Sequence, residues 1–149
     1  DTSAFVKYYG KPEFEKGSAK VETMVNEARE GECILISSVL MIGEAVSVFD
    51  RWVRIKLIDA REFEKIFGRF LLEVEELIER GSLILETINP SFISSSIELI
   101  IRHYIPINDA IHLYTALNWR PEIKEFVCSD ENLLKSAKKE GSNVLNPEI

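Results

Sequence analysis

Glu32-Cys33-Ile34-Leu35-Ile36-Ser37 is a continuous apolar run of strand length. An unbroken run, rather than an alternating one, marks a strand of a parallel sheet covered on both faces. Helical patterns flank it on either side. Upstream, residues 13–29 place Val21, Met24, Val25 and Ala28 on one helical face, and Gly31 ends that helix. Downstream, Ser37-Ser38 offers an N-cap to a long helix from Val39 to about Ile58. Residues 61–80 then repeat Phe63, Ile66, Phe67, Phe70, Leu71, Val74, Leu77 and Ile78 at helical spacing, so the two helices form a hairpin or arm. A second strand is expected over residues 83–88, stopped by Asn89-Pro90. Helices over 92–104 and 109–118 follow, then a short strand at 126–129, a helix at 131–139 and a last strand at Val144-Leu145. Strands alternating with helices predict a three-layer α/β fold around a mostly parallel sheet. A short helical stretch at 4–9 precedes all of this, and no repeat or linker divides the 149 residues, so one domain is expected.

The composition, 46% hydrophobic and 29% charged, is that of a globular chain. No apolar run approaches the roughly 20 residues that span a bilayer. No signal-peptide pattern is present, which makes the cytoplasm the default location. The net charge of −7 argues against a protein that coats nucleic acid by neutralising phosphates, though not against an enzyme that meets a polyanion at one acidic spot through metal ions. Cys33 and Cys128 each lie in an apolar run and read as small buried hydrophobes, with no zinc pattern around them.

Chemistry is carried by carboxylates. Ile107-Asn108-Asp109-Ala110-Ile111-His112-Leu113 reads as an apolar helix with one acid in its first turn and Asn108 as its N-cap. Glu44 has Leu40, Met41, Ser47 and Val48 as its helical neighbours, a costly setting for a carboxylate that is not paired or metal-bound. Asp130 closes a strand and opens a helix. In open α/β sheets ligands gather beyond the C-terminal strand ends, where Asp130, Glu44 and Asp109 all fall. Asp1 joins them if an apolar strand precedes it. Acids brought together repel unless cations neutralise them, and an all-oxygen cluster suits Mg²⁺ or Mn²⁺. Such a site acts naturally on phosphate oxygens.

These residues resemble the PIN-domain ribonucleases, the group that includes the VapC toxins of toxin–antitoxin pairs. The resemblance runs the full length: Asp1-Thr2-Ser3-Ala4-Phe5-Val6-Lys7-Tyr8-Tyr9, Ser37-Ser38-Val39 leading to Glu44, Asp109-Ala110-Ile111-His112-Leu113, Phe126-Val127-Cys128-Ser129-Asp130 and Val144-Leu145-Asn146-Pro147. It implies that Asp1, Glu44, Asp109 and Asp130 form the catalytic metal site, and that Ser3 helps to order Asp1. It further implies hydrolysis of RNA phosphodiesters with Mg²⁺ or Mn²⁺, a homodimer, and a small antitoxin partner laid over the acidic groove. One departure from the family pattern is plain. There, the first aspartate follows a short apolar strand at the centre of the sheet, so several apolar residues are expected upstream of Asp1.

Other readings fit less well. A receiver domain needs adjacent acids after its first strand, and a haloacid-dehalogenase-type phosphatase needs Asp-x-Asp where this chain has Asp1-Thr2-Ser3. The main alternative is an RNA-processing or scaffold protein of PIN fold with little catalysis. Arg51, Arg54, Lys56, Arg61, Lys65 and Arg69 are interleaved with acids and read as a solvated mixed-charge face rather than an RNA-binding arm. Lys7 is either a phosphate contact or a surface lysine. His112 reads as a core residue or as a support to Asp109, and Trp52 and Trp119 as packing residues.

Overall fold

The apolar run pairs as a parallel strand. In this computed structural model, which describes residues 1–11 and 13–149, β1 (Leu35–Ser38) lies beside β2 (Leu83–Glu86), with Leu35 opposite Leu83 and Ser38 opposite Glu86. A second parallel pair joins β3 (Phe126–Val127) to β4 (Val144–Leu145). The helices are α1 (Thr2–Phe5), followed directly by a 3-10 turn (Val6–Tyr8), then α2 (Ser18–Arg29), α3 (Leu40–Arg54), α4 (Ala60–Glu79), α5 (Pro90–His103), α6 (Ile107–Asn118) and α7 (Glu131–Lys139). The α3–α4 hairpin crosses from β1 to β2, and α7 crosses from β3 to β4. The class is α/β, mostly helical with short parallel strands. The expected single central sheet is not formed among the described residues: there are two separate two-stranded sheets.

Between them lies a cavity of about 590 Å³, lined by Leu35, Ile36 and Met41 on one side and by Phe126, Val127 and Asp1 on the other. The ladder bonds explain its walls. Leu35 N donates to Ser82 O and Val39 N to Glu86 O, so the backbone of Ile36 and Ser38 faces away from β2. Phe126 N and Cys128 N likewise donate to the β4 side, which turns Val127 outward.

Apolar side chains collect into two cores. One is aromatic: Phe49 meets Tyr9, Trp52 and Phe70 at ring-centroid distances of 5.6, 5.3 and 5.5 Å. It draws on α2, α3, α4, β2 and the 3-10 turn. The Tyr9 and Phe70 contacts are edge-to-face, and such pairs add about 0.5–1.5 kcal/mol beyond area burial. The other core packs Leu99, Leu113, Phe126, Cys128 and Leu133 from α5, α6, β3 and α7. Among the described residues no helix is long and apolar enough to cross a membrane.

Several element boundaries differ from expectation. The first long helix starts only at Ser18, after Gly17 at φ +84°, where an added Cβ would stand 2.6 Å from the Pro147 carbonyl oxygen. Ser38 belongs to β1, so α3 begins without a side-chain cap. That helix ends at Arg54 because Lys56 turns to φ +61°. On α4, capped reciprocally by Asp59 and Glu62, Phe70, Val74 and Leu77 are buried as expected, but Leu71 and Ile78 are exposed. Cys128 is buried, whereas Cys33 is only partly so.

Candidate active site

The C-terminal ends of the strands carry the acids. Asp109 lies in the first turn of α6, a helix whose N-cap is Pro106 rather than Asn108. Its carboxyl is half-buried, and burial together with the negative charges of Asp130 and Glu44 pushes its pKa above the ordinary range, only partly opposed by His112. Acids from three distant segments therefore share one electrostatic neighbourhood. Among the described residues, no protein donor reaches either Asp109 oxygen within hydrogen-bond distance.

Glu44 projects from the second turn of α3. Burial disfavours its charge, but hydrogen bonds from His112 and Thr2, the nearby His112 ring and the Asn108 side chain outweigh this and hold the pKa below the usual range. Asn108, expected to cap α6, lies within its first turn. Thr2 Oγ1 donates to Glu44 Oε2, and His112 Nε2 lies 2.7 Å from the same oxygen.

Ser3 links the segments that carry Asp1 and Asp130. The Ser3 backbone N–H donates to Asp1 Oδ1 at 2.7 Å, making Asp1 the N-cap of α1. Its hydroxyl accepts from Ser129 N at 3.0 Å, tying α1 to the end of β3. So Ser3 orders Asp1 through its backbone, and its side chain holds the neighbour of Asp130. Asp130 Oδ1 caps α7 by accepting from Leu133 N at 2.8 Å, while Asp130 N donates to Cys128 Sγ at 3.2 Å. Structural capping and an acidic site coexist in this residue. Asp1 N donates to Val127 O at 3.1 Å.

By type, the donor set of Asp1, Glu44, Asp109 and Asp130 is carboxylate oxygen, which matches hard cations such as Mg²⁺ and Mn²⁺. Among the described residues, no three His, Cys, Asp or Glu side chains as placed form a group that could hold an ion.

Lys7 departs from both sequence expectations. It is a buried cation, 5% exposed, bonded to Glu15 at 2.9 Å and Glu148 at 2.7 Å. Neither a free phosphate contact nor a surface lysine describes it. The basic residues of the α3–α4 hairpin are partly paired within their own helices, Arg54 with Asp50 and Arg69 with Glu73. Trp52 is core, and Trp119 donates its indole N–H to Glu86. Thr2, Ser38 and Asn108 were not expected from sequence to support the site. Thr2 adjoins Asp1, and Asn108 adjoins Asp109, which is the one signal that pointed to them. No protein-family model, curated protein or solved structure matches the chain.

Proposed function

We propose that the chain is a metal-dependent ribonuclease of the VapC-like toxin type, acting at Asp1, Glu44, Asp109 and Asp130. The observation that carries this reading is Asp109: a half-buried carboxyl at the strand ends, pushed upward by Asp130 and Glu44. Like charges gathered without a structural cation mark a functional site more often than a structural one. Asp109 and Asp130 would hold a divalent ion, with Glu44 and Asp1 completing the oxygen set. Bound there, Mg²⁺ or Mn²⁺ supplies Lewis-acid activation of water and neutralisation of the phosphate. The chain's own part is to keep Glu44 ionised through Thr2 and His112, and to fix Asp1 and Asp130 through Ser3.

The finer fold belongs to the same reading. The cavity between β1 and β3 takes a central strand leading into Asp1, which would pair with Ile36 and Ser38 on one side and Val127 on the other. The bond from Asp1 N to Val127 O is where such a ladder would end. Partners follow the reading as well: an RNA substrate, an antitoxin over the acidic groove, and a second copy of the chain, in the cytoplasm. On α5 an apolar stripe of Ile97, Ile101 and Tyr104 is exposed and flanked by Glu98 and Arg102. An antiparallel copy of this helix would set acid against base around the stripe, which supports homodimerisation.

The test is cleavage of a mixed single-stranded and structured RNA pool with Mn²⁺, Mg²⁺ or EDTA, comparing wild type with Asp109→Asn. Metal-dependent cleavage lost in the variant supports the reading. A folded wild type that binds metal but cuts nothing points to the scaffold alternative, and cleavage that survives in the variant removes Asp109 from the site.

A further inference from the structure

His112 is among the most enclosed polar residues of the molecule, 4% exposed, and the catalytic reading assigns it no direct role. Its ring stands between two partners on different elements. Nε2 is 2.7 Å from Glu44 Oε2 on α3, and Nδ1 is 3.3 Å from Oγ of Ser38, a fully buried residue at the end of β1. Thr2 Oγ1 donates to the same Glu44 oxygen and lies 3.3 Å from His112 Nε2. Side chains of α1 and α6 therefore converge on one Glu44 oxygen of α3, with β1 holding the far side of the His112 ring. An ionised carboxylate only accepts hydrogen bonds, so the proton on this contact belongs to Nε2. Ser38 is the group within reach of Nδ1. In metal sites, groups that hold the ligands commonly set affinity as strongly as the ligands' own type does.

We propose that His112 is a positioning residue that grips Glu44 through Nε2–H, fixes Oε2 toward the interior, and so sets the divalent-cation affinity of the acidic site. This rests on the metal-site reading above. Asp109 lies one helical turn before His112 on α6, so the same helix carries an acid of the site and the clamp on Glu44. The coupling is geometric: any shift of α6 moves both.

Two substitutions separate positioning from bulk packing. His112→Gln places an amide N–H near the position of Nε2, whereas His112→Asn reaches only the Nδ1 position and leaves Glu44 Oε2 with Thr2 alone as its donor. Mn²⁺ titration of the purified full chain by calorimetry should show affinity reduced about tenfold or more in His112→Asn and within about threefold of wild type in His112→Gln. Thermal unfolding without metal should shift similarly in both. Equal Mn²⁺ affinities for the two variants would overturn the proposal, as would wild-type affinity in His112→Asn. A measurement on the metal-free wild type guards against variants that fail to fold. Nitrogen-15 spectra of the ring should show a protonated Nε2, and a ring protonated only at Nδ1 would overturn the clamp. Wild-type protein with the expected ring state but no Mn²⁺ binding would instead overturn the metal-site reading, and the affinity-setting role with it.

Discussion

Two buried charge clusters in this molecule look alike in composition and behave in opposite ways. Around Lys7, two glutamates face one buried ammonium. Burial opposes the lysine's charge, but the hydrogen bonds it donates to Glu148 and Glu15 outweigh this and raise its pKa. The same contact, against a smaller burial penalty, lowers that of Glu148. Around Asp109, three acids gather with a histidine on one of them, and the Asp109 pKa rises. The first cluster is satisfied internally and ties the C-terminal segment to the 3-10 turn. The second keeps negative charge that His112 opposes only in part and that no lysine or arginine pairs with among the described residues. That contrast, more than acid count, supports reading the first as a structural ion pair and the second as the proposed cation site.

The largest expected effect lies at the second cluster. Asp109→Asn should lower metal-dependent RNA cleavage at least about a hundredfold, since even outer partners of metal ligands cost 10–100-fold. Rates with excess Mn²⁺ check this. The comparison breaks if cleavage holds while Lys7→Met abolishes it.

Lys7→Met should act on stability instead. It leaves Glu15 and Glu148 facing an apolar side chain, and Glu148 can recover water because its side chain is 35% exposed. A loss of about 2 kcal/mol in urea unfolding is expected, below the 3–5 kcal/mol of a fully buried broken pair. A change under about half a kcal/mol would show that this cluster is not structural.

A third, smaller effect concerns the cavity between the sheets. A short Val/Ile segment joined ahead of Asp1 should raise stability by about 1–2 kcal/mol, the apolar burial of two or three side chains less the backbone entropy of ordering them. Hydrogen exchange at Ile36 and Val127 should slow in step. Unchanged exchange at both would remove the strand from this cavity.

What was legible in the sequence follows the same divide. Apolar patterning located the strands at 35–38 and 83–86, though not their pairing, and the buried face of α4, because hydrophobic burial acts on whole segments. The acids were legible because a carboxylate at position 44 or 109 contradicts its apolar surroundings. Local capping was not. Ser37-Ser38 and Asn108 both look like N-caps, yet Ser38 continues the strand and Asn108 already lies inside α6, whose N-cap is Pro106, since pairing and packing outweigh a local bond worth about 1 kcal/mol. Lys7 was illegible for a related reason: its partners lie at positions 15 and 148, and no local pattern announces a contact across 141 residues of separation.

The subtlest test uses pH. Asp109 has a folded pKa raised above its ordinary 3.8, so its protonated form favours the fold. That contribution is complete below 3.8 and is lost as pH rises through the folded value, which makes ionised Asp109 a burden at neutral pH. Asp109→Asn should therefore be more stable than wild type without metal, with the difference growing from about pH 4 toward neutrality. Glu148 runs the other way. Its pKa is lowered from 4.5, so its contribution is present above that value and disappears as pH falls through the folded one. The destabilisation in Lys7→Met should accordingly shrink on acidification. Urea unfolding of the three proteins between about pH 3 and 8, metal-free, gives two difference curves of opposite meaning. Added Mn²⁺ should collapse the Asp109 curve, because the ion binds the ionised wild-type site and reverses its cost, and should leave the Lys7 curve where it was. Difference curves that run parallel, or that both respond to Mn²⁺, would mean the two clusters are one kind of thing after all.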